Sequence, residues 1–405
     1  MEVEDYEAYD LNNTASYSQN SSELVENFDL IELNSSDPSK GPLLNNVTTT
    51  IPFLPLGLGI ILVTVFGIIG NLLSATVLSR KRLQSSYAVL TLGLTFVDTV
   101  YLITKFLRYG IASLFSHYEI AILYLNVILP IIGPYLRSIT FIAHTASTYF
   151  TIAIAIDRFV AVCLPATARK FCTRKRASFT CVLVLVWSVI FNATRWLEFR
   201  TVPIEEMQTE GTVSAANATA SGYYVMKITE LRIDPVYKEV YIFWIYLIVM
   251  FILPFVTLSV LNLCIFLGIR KLVKNGAVLT STQKRDTSFS IMLIGVVLVF
   301  LICNVDYLVL DILDYAGVAF SEFWNYLGNF LLTLNSAVNF LIYCVCGWKF
   351  RQELIKIMRA TCPCLQEHGS HDIVVTDDCQ WVKDTINMDV KSIPRATLTK
   401  SSVTN

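Results

Sequence analysis

The sequence predicts an all-α membrane protein, a bundle of seven transmembrane helices followed by a short amphipathic helix in the membrane interface. Of its 405 residues 54% are hydrophobic and only 16% are charged, and the mean hydropathy is +0.56. A soluble domain of this composition would aggregate, so its apolar surface must face lipid. About 20 apolar residues cross the roughly 30 Å hydrocarbon core of a bilayer. Runs of this kind occur at 52–78, 87–113, 132–163, 178–200, 237–268, 286–314 and 322–346.

The segment before the first run, residues 1–51, is predicted to be a disordered extracellular tail. Residues 1–50 carry ten acids against one base, Lys40, a composition too polar to form a core. Nothing at Met1 resembles a cleavable signal peptide, so we expect the first run to act as an uncleaved signal anchor. Four N-x-S/T sequons in this tail predict glycosylation, at Asn12, Asn20, Asn34 and Asn46.

The orientation follows from the basic residues, which cluster after the first, third, fifth and seventh runs. Cationic loops stay in the cytoplasm, so the amino terminus is expected outside and the carboxyl terminus inside a plasma-membrane, multi-pass protein. Residues 52–346 then form the bundle and 347–361 the interfacial helix, because apolar and basic residues alternate there at helical spacing. Residues 362–405 are predicted to be a disordered cytoplasmic tail.

The ten cysteines all lie in predicted helices or on the cytoplasmic side, where thiols stay reduced, so no extracellular disulfide is available. Cys362 and Cys364 follow the interfacial helix directly and are candidates for palmitoylation; the alternative is two free thiols in a loop.

Asp98 lies at the centre of the second run, where a charged side chain costs roughly 2.5–3.5 kcal/mol and is a functional candidate by default. The plainer alternative is a protonated carboxyl that caps a helix contact. Other polar residues fall at a similar depth and would complete an oxygen-rich site for a hard cation such as sodium: Asn71, Ser147, Asn335, Ser336 and Asn339.

A set of motifs in order resembles the rhodopsin-like G-protein-coupled receptors over about residues 52–360. The motifs are Gly70-Asn71, Leu94 with Asp98, Asp157-Arg158-Phe159, Trp187, Pro254 and Asn339-Phe340-Leu341-Ile342-Tyr343. The stretches around Leu83-Gln84-Ser85-Ser86, His144–Tyr149 and Asn335–Tyr343 look most like invertebrate FMRFamide-type neuropeptide receptors.

The resemblance implies roles for individual residues. Asp98, Ser147, Asn335 and Asn339 match a sodium pocket that favours the inactive state, and no other cofactor is implied. The residues that match the switch for a heterotrimeric G protein are Asp157, Arg158, Asp286, Asn339 and Tyr343. Clustered Ser and Thr in the tail would serve a receptor kinase and arrestin.

Three departures from the family pattern stand out. Phe340 replaces a proline, so we expect the seventh helix to bend less sharply. Asn304 and Asp306 replace the usual Trp and Pro of the sixth helix. Gly133 lies near the place of the third-helix cysteine, and 200–240 contains no cysteine. Packing and hydrogen bonds must therefore restrain the outer loops.

A ligand ending in Arg-Phe-amide needs an acid for its guanidinium and an aromatic cleft. Asp306 is the first choice for that acid and Asp311 the second. The alternative is that Asp306 pairs with an internal cation, Lys105, Arg108 or Arg137, which a cationic ligand could displace. Candidate aromatic walls, which could instead face lipid, are Tyr101, Tyr135, His144, Tyr241, Trp244 and Tyr307.

The sequence therefore predicts a receptor for an extracellular neuropeptide, FMRFamide-like, that signals to a G protein. Alternatives are a rhodopsin-like receptor for another peptide class, or a seven-helix transporter or channel. A transporter predicts inverted repeats or matching broken helices, which the sequence lacks. An enzyme is excluded because the four histidines are scattered and no nucleophile stands with a base.

Overall fold

The computed structural model describes residues 54–80, 83, 85–111, 123–209, 222–274, 281–315 and 322–361. Seven helices, named first to seventh in chain order, dominate them. They are Leu54–Leu78, Ser86–Lys105, Leu129–Cys163, Arg174–Phe191, Leu253–Lys274, Ser281–Tyr315 and, as one bent helix, Glu322–Ala337 with Asn339–Cys346. Wider π-helical turns lengthen three of them at Phe106–Gly110, Tyr124–Ile128, Tyr237–Ile245 and Leu247–Ile252. The second, third and fifth helices thus reach further outward than their α-helical parts.

Five of these helices are long and apolar enough to cross a membrane, and the bent seventh helix makes a sixth. The fourth helix, Arg174–Phe191, begins with three cations, Arg174, Lys175 and Arg176, which raise the charge of its first turn. The hydroxyl of Thr173 caps it by accepting a hydrogen bond from the amide of Arg176 at 3.4 Å. Its cationic start and apolar remainder agree with a span that leaves the cytoplasm at this point.

The third helix is the centre of the bundle and packs against the second, fourth, fifth and sixth helices. The largest core cluster fills the half of the bundle that contains the end of the third helix, and it includes Tyr87, Phe150, Phe300 and Tyr343. Many aliphatic side chains of the fourth and fifth helices are exposed on the outside of the bundle, as a lipid-facing surface requires.

The first and seventh helices approach each other closely because two glycines face the contact. A Cβ atom at Gly67 would lie 2.6 Å from Cβ of Ala337, and one at Gly70 would lie 2.8 Å from Cβ of Phe340. Only residues without a side chain leave room for this contact.

The fourth helix ends at Phe191, so the predicted span 178–200 was wrong at its outer end. A 3₁₀ turn, Ala193–Leu197, follows, and then a β-hairpin of β1 (Phe199–Pro203) and β2 (Tyr224–Ile228). The strands are antiparallel with Phe199 opposite Ile228. In the sequence, the first residues of β1 continue the apolar run of the fourth helix. They form a strand instead because they pair with β2, which lies later in the chain.

On the inner side, the chain turns at Gly347 into the interfacial helix Trp348–Thr361. Phe350 and Leu354 are buried against the bundle, while Lys356 and Glu353 form an ion pair on the exposed side at 2.8 Å. The helix therefore has one apolar and one charged face.

Candidate functional site

The centre of the bundle holds a buried carboxylate with neutral polar partners. Asp98 is fully buried, and the hydroxyl of Ser147 donates to its Oδ1 at 2.7 Å. The amide of Asn339 donates to its Oδ2 at 2.8 Å, so the second, third and seventh helices meet at one side chain. Asn335 is buried one turn earlier in the seventh helix, 8% exposed. This arrangement of carboxylate, hydroxyl and amide oxygens suits a hard monovalent cation.

Next to this centre, the seventh helix bends by 45° at Val338. The helix is therefore sharply bent although position 340 is a phenylalanine and not a proline. The amide of Asn71 donates to the carbonyl oxygen of Ser336 at 3.3 Å. In a straight helix that carbonyl oxygen would accept a hydrogen bond from the backbone amide of Phe340. Here a side chain of the first helix takes the place of that backbone donor. The helix therefore bends at this point, as it would at a proline.

Asn71 also leaves an unused acceptor near the buried carboxylate. Its Oδ1 is buried without a hydrogen-bond partner among the described residues, and so is the hydroxyl of Ser74 one turn later. Buried oxygens without partners are costly unless a water or a cation satisfies them. The residues present therefore fit the sodium ion that the sequence predicted.

The carboxyl-terminal end of the third helix carries an ion pair between neighbouring residues. Nη2 of Arg158 lies 2.6 Å from Oδ2 of Asp157, and both side chains are largely buried. The guanidinium lies over the ring of Tyr87 at 5.0 Å from the ring centre. Tyr343 is buried nearby and contacts Phe350 edge to face at 5.6 Å. The side chain of Asp286, the predicted partner across the helices, lies outside the described residues.

The outer half of the bundle contains a buried cation whose hydrogen-bond partner in the described part of the chain is a neutral amide. Lys105 is 5% exposed and donates from Nζ to Oδ1 of Asn329 in the seventh helix at 2.5 Å. Its ammonium group lies 5.4 Å from the ring centre of Tyr101 and 5.1 Å from that of Tyr109. His144 packs on Tyr101 at 6.0 Å between ring centres. A cation, an amide and aromatic rings thus converge from the second, third and seventh helices.

Asp306 faces no internal cation in the described part of the chain. Its Oδ2 is buried and has no hydrogen-bond partner there. Of the cations that could have paired with it, Lys105 donates to Asn329 and Arg137 lies against Glu198. Arg108 lies over the ring of Tyr109. A partly buried carboxylate oxygen without a partner is available to a ligand.

Of the residues predicted as aromatic walls, Tyr241 is packed within the bundle, whereas Tyr135 and Trp244 lie on its outside. The hydroxyl of Tyr241 donates to the carbonyl of Phe191 at 2.5 Å, and its ring stacks on Tyr237 at 5.1 Å. Tyr135 is 58% exposed and Trp244 47% exposed on the outside of the bundle, so neither lines an interior cleft. Both side chains therefore face lipid, which was the alternative interpretation of these residues.

The sequence reasoning missed a buried acid at the outer face. Glu198 is fully buried between Arg195 at 3.0 Å and Arg232 at 3.0 Å, with Arg137 at 4.0 Å. Burial alone would raise the pKa of Glu198, but the three guanidinium groups outweigh it and hold the pKa below its ordinary value. An acid inside a predicted apolar span was the signal that could have identified it.

Several predicted positions lie outside the described residues, either entirely or in their side chains. They are Asn12, Asn20, Asn34, Asn46, Tyr307, Asp311, Cys362 and Cys364. Their predicted roles stay predictions.

Comparison with known proteins places these motifs in context. The family model of the 7 transmembrane receptors (rhodopsin family) matches residues 70–343. A Drosophila melanogaster FMRFamide receptor is 35% identical over 316 residues, which is 78% of this chain and 55% of the fly protein. The Caenorhabditis elegans FMRFamide peptide receptor frpr-18 is 27% identical over 75% of this chain and 69% of its own length. The Drosophila sex peptide receptor is 24% identical over 72% of this chain and 69% of its own length. The match spans little more than half the length of the fly FMRFamide receptor.

Proposed function

We propose that this chain, which belongs to the rhodopsin family of seven-transmembrane receptors, binds an extracellular neuropeptide with an Arg-Phe-amide end and signals to a heterotrimeric G protein. Membership of the family confirms the predicted fold class, a multi-pass membrane bundle. The members of this family are receptors rather than enzymes. The observation that carries the ligand class is the similarity to two receptors named for FMRFamide, in the fly and the nematode.

The outer half of the bundle supports this ligand chemistry. The unpartnered carboxylate oxygen of Asp306 would accept from the guanidinium of the peptide's arginine. Lys105 already donates to a neutral amide oxygen, and the carbonyl of a terminal carboxamide could replace Asn329 as that acceptor. Tyr101, whose ring lies under the Lys105 ammonium group, and His144 packed against it provide aromatic surface. Arg137, Tyr241, Tyr307 and Asp311 complete the proposed pocket.

The inner half supports a resting receptor. The Asp157–Arg158 pair keeps the guanidinium that would contact a G protein engaged at the helix end. A peptide activates such a receptor if it and the G protein bind the same conformation more tightly than the resting one. Asp286, Asn339 and Tyr343 are the further switch residues of this proposal.

A sodium ion would be held by Asp98, Ser147, Asn335 and Asn339, with the free oxygen of Asn71 close by. When bound, the ion would neutralise the carboxylate and favour the conformation in which these helices stay together. The protein's own contribution is the set of hydrogen bonds that keeps Ser147 and Asn339 directed at Asp98.

The proposed location is the plasma membrane, with the amino terminus outside and the carboxyl terminus inside. Glycosylation at the four tail sequons, palmitoylation at Cys362 and Cys364, and contacts of the tail with a receptor kinase and arrestin belong to the same proposal. Epitope tags at the two termini test the orientation: only the amino-terminal tag should stain in intact cells.

The ligand test is a panel of amidated peptides applied to cells that express the chain, with calcium and cyclic AMP as readouts. We expect peptides ending in Arg-Phe-amide to activate it and their free-acid forms to be much weaker. Activation only by another peptide class would refute the ligand class, and the similarity to the sex peptide receptor makes such peptides a necessary arm of the panel.

Asp306→Asn tests the pocket. Loss of one partner of a buried charge pair costs about 2–4 kcal/mol, so potency should fall roughly 30- to 1,000-fold. Glu230→Gln, at an exposed acid near the outer end of the fifth helix, is the matched control and should leave potency unchanged. Equal potency of both variants would remove Asp306 from the pocket.

A further inference from the structure

One fully buried carboxylate, Glu198, joins the outer ends of several elements. Its Oε1 accepts from Arg195 at 3.0 Å and from the hydroxyl of Tyr237 at 2.9 Å. Its Oε2 accepts from Arg232 at 3.0 Å and lies 4.0 Å from Nε of Arg137. Buried charges persist only when they are paired in this way.

The partners of Glu198 come from different parts of the chain. Arg137 belongs to the third helix, Arg195 to the 3₁₀ turn after the fourth, and Tyr237 to the first turn of the fifth. Arg232 lies in the short helix Glu230–Ile233 that follows β2. One side chain therefore joins the third helix, the fifth helix and the turn after the fourth helix to both ends of the β-hairpin.

The hairpin itself continues the same cluster. Phe199, the first residue of β1, lies between two of the guanidinium groups, with Arg137 at 4.7 Å and Arg232 at 5.4 Å from its ring centre. The backbone of Glu198 accepts from the amide of Thr229 at 3.0 Å, which closes the open end of the hairpin. The strands are thus fixed to the charged cluster by stacking and by backbone hydrogen bonds.

A second contact holds β2 on the third helix. A Cβ atom at Gly133 would lie 2.5 Å from Sδ of Met226, so the methionine occupies the space that any side chain at position 133 would need. From β1, the hydroxyl of Thr201 donates to the carbonyl of Pro130 at 2.7 Å. The hairpin is therefore seated on the outer end of the third helix at two points.

We propose that Glu198, with Arg137, Arg195 and Arg232, is a non-covalent tether that holds the β1–β2 hairpin on the third helix in place of a disulfide. The family resemblance places a cysteine near Gly133, and residues 200–240 contain none. Ion pairs resist thiol reductants, so the outer face of this receptor keeps its structure under reducing conditions.

The pH range of the tether follows from the same geometry. The titratable and charged groups that face Glu198 are the three arginines and Tyr237, and burial opposes its ionisation less than they favour it. A carboxyl whose pKa is held below the ordinary value of 4.5 stabilises the fold above that pH. The tether is therefore complete at neutral and mildly acidic pH and is lost only as the pH falls through the lowered pKa of Glu198.

The first experiment compares Glu198→Gln with Glu206→Gln in the full chain, solubilised in detergent and heated. Glu206 pairs with Arg200 in the same connection, but both side chains are well exposed, so its loss should leave the thermal midpoint unchanged. Loss of the buried charge of Glu198 should lower the midpoint by roughly 10 °C and reduce surface density several-fold. Equal midpoints for the two variants would overturn the proposal.

A cysteine pair keeps the test decisive if Glu198→Gln fails to reach the surface. Gly133→Cys with Met226→Cys places two thiols where the backbone of β2 meets the third helix. In the Glu198→Gln background this pair should restore surface density, and dithiothreitol should abolish the rescue. No rescue, or a wild-type receptor that loses thermal stability in dithiothreitol, would overturn the proposal. None of these readouts uses a peptide, so they stand apart from the ligand test.

Discussion

Gly67→Ala should destabilise the bundle through a single methyl group. A Cβ atom at position 67 would lie 2.6 Å from Cβ and 2.9 Å from Cα of Ala337, and 2.7 Å from Cδ1 of Leu102. Carbon atoms pack at about 3.5–4.0 Å, so the overlap is close to 1 Å and includes a backbone atom that cannot rotate away. The first and seventh helices must separate, at a cost of about 1–3 kcal/mol. The thermal midpoint should fall by roughly 2–10 °C.

Gly59→Ala is the matched control on the same helix. Its Cβ atom would lie 3.2 Å from the ring edge of Phe330, a side chain that can tilt by a few tenths of an ångström. Both substitutions gain the same helix propensity, about 1 kcal/mol, so their difference isolates the overlap. Fluorescence-detected size exclusion after heating measures both midpoints. A Gly67→Ala receptor as stable as Gly59→Ala would refute the close contact of the two helices.

Three further predictions concern the charged groups. High sodium should weaken agonist binding in the wild type but not in Asp98→Asn; equal sensitivity in a radioligand competition assay would reject the cation site. Asp157→Asn removes the partner of Arg158 at 2.6 Å, so ligand-free G-protein signalling should rise several-fold, and an unchanged basal level would contradict the resting role of the pair. Because its pKa is lowered, Glu198 should keep the detergent-solubilised receptor stable at pH 5, whereas stability should fall as the pH drops through that lowered pKa; a midpoint that drops already between pH 7 and 5 would count against the tether.

The sequence predicted the bundle because lipid imposes strong constraints on composition. Apolar runs of spanning length and alternating basic loops are local properties, so they can be counted without knowing which helices touch. Asp98 was identified for the same reason, since a carboxyl in the middle of an apolar run is costly and therefore marks a candidate for function. Its contacts with Ser147 and Asn339 join three helices in the structure.

The outer face could not be predicted in the same way. Trp196, Leu197 and Phe199 prolong the apolar run of the fourth helix in the sequence. In the structure the first two lie in a 3₁₀ turn, and only pairing with β2 makes Phe199 the start of a strand. Register and partner of such a strand depend on non-local contacts. Glu198 was consequently counted as part of a membrane span.

The bend in the seventh helix shows a second limit of local reasoning. The absence of proline at position 340 predicted a straighter helix, yet the amide of Asn71 in another helix takes the Ser336 carbonyl and produces a 45° bend. A rule based on one residue's backbone cannot include a donor supplied by a different helix.

The cysteine-free hairpin also bears on how this receptor can be made. Seating β1 and β2 requires no oxidation step, so the outer loop can mature without a disulfide isomerase or an oxidising lumen. Cell-free synthesis into lipid nanodiscs in a reducing lysate is therefore a practical route to folded protein, and dithiothreitol can be kept through purification to protect the free thiols of the transmembrane helices.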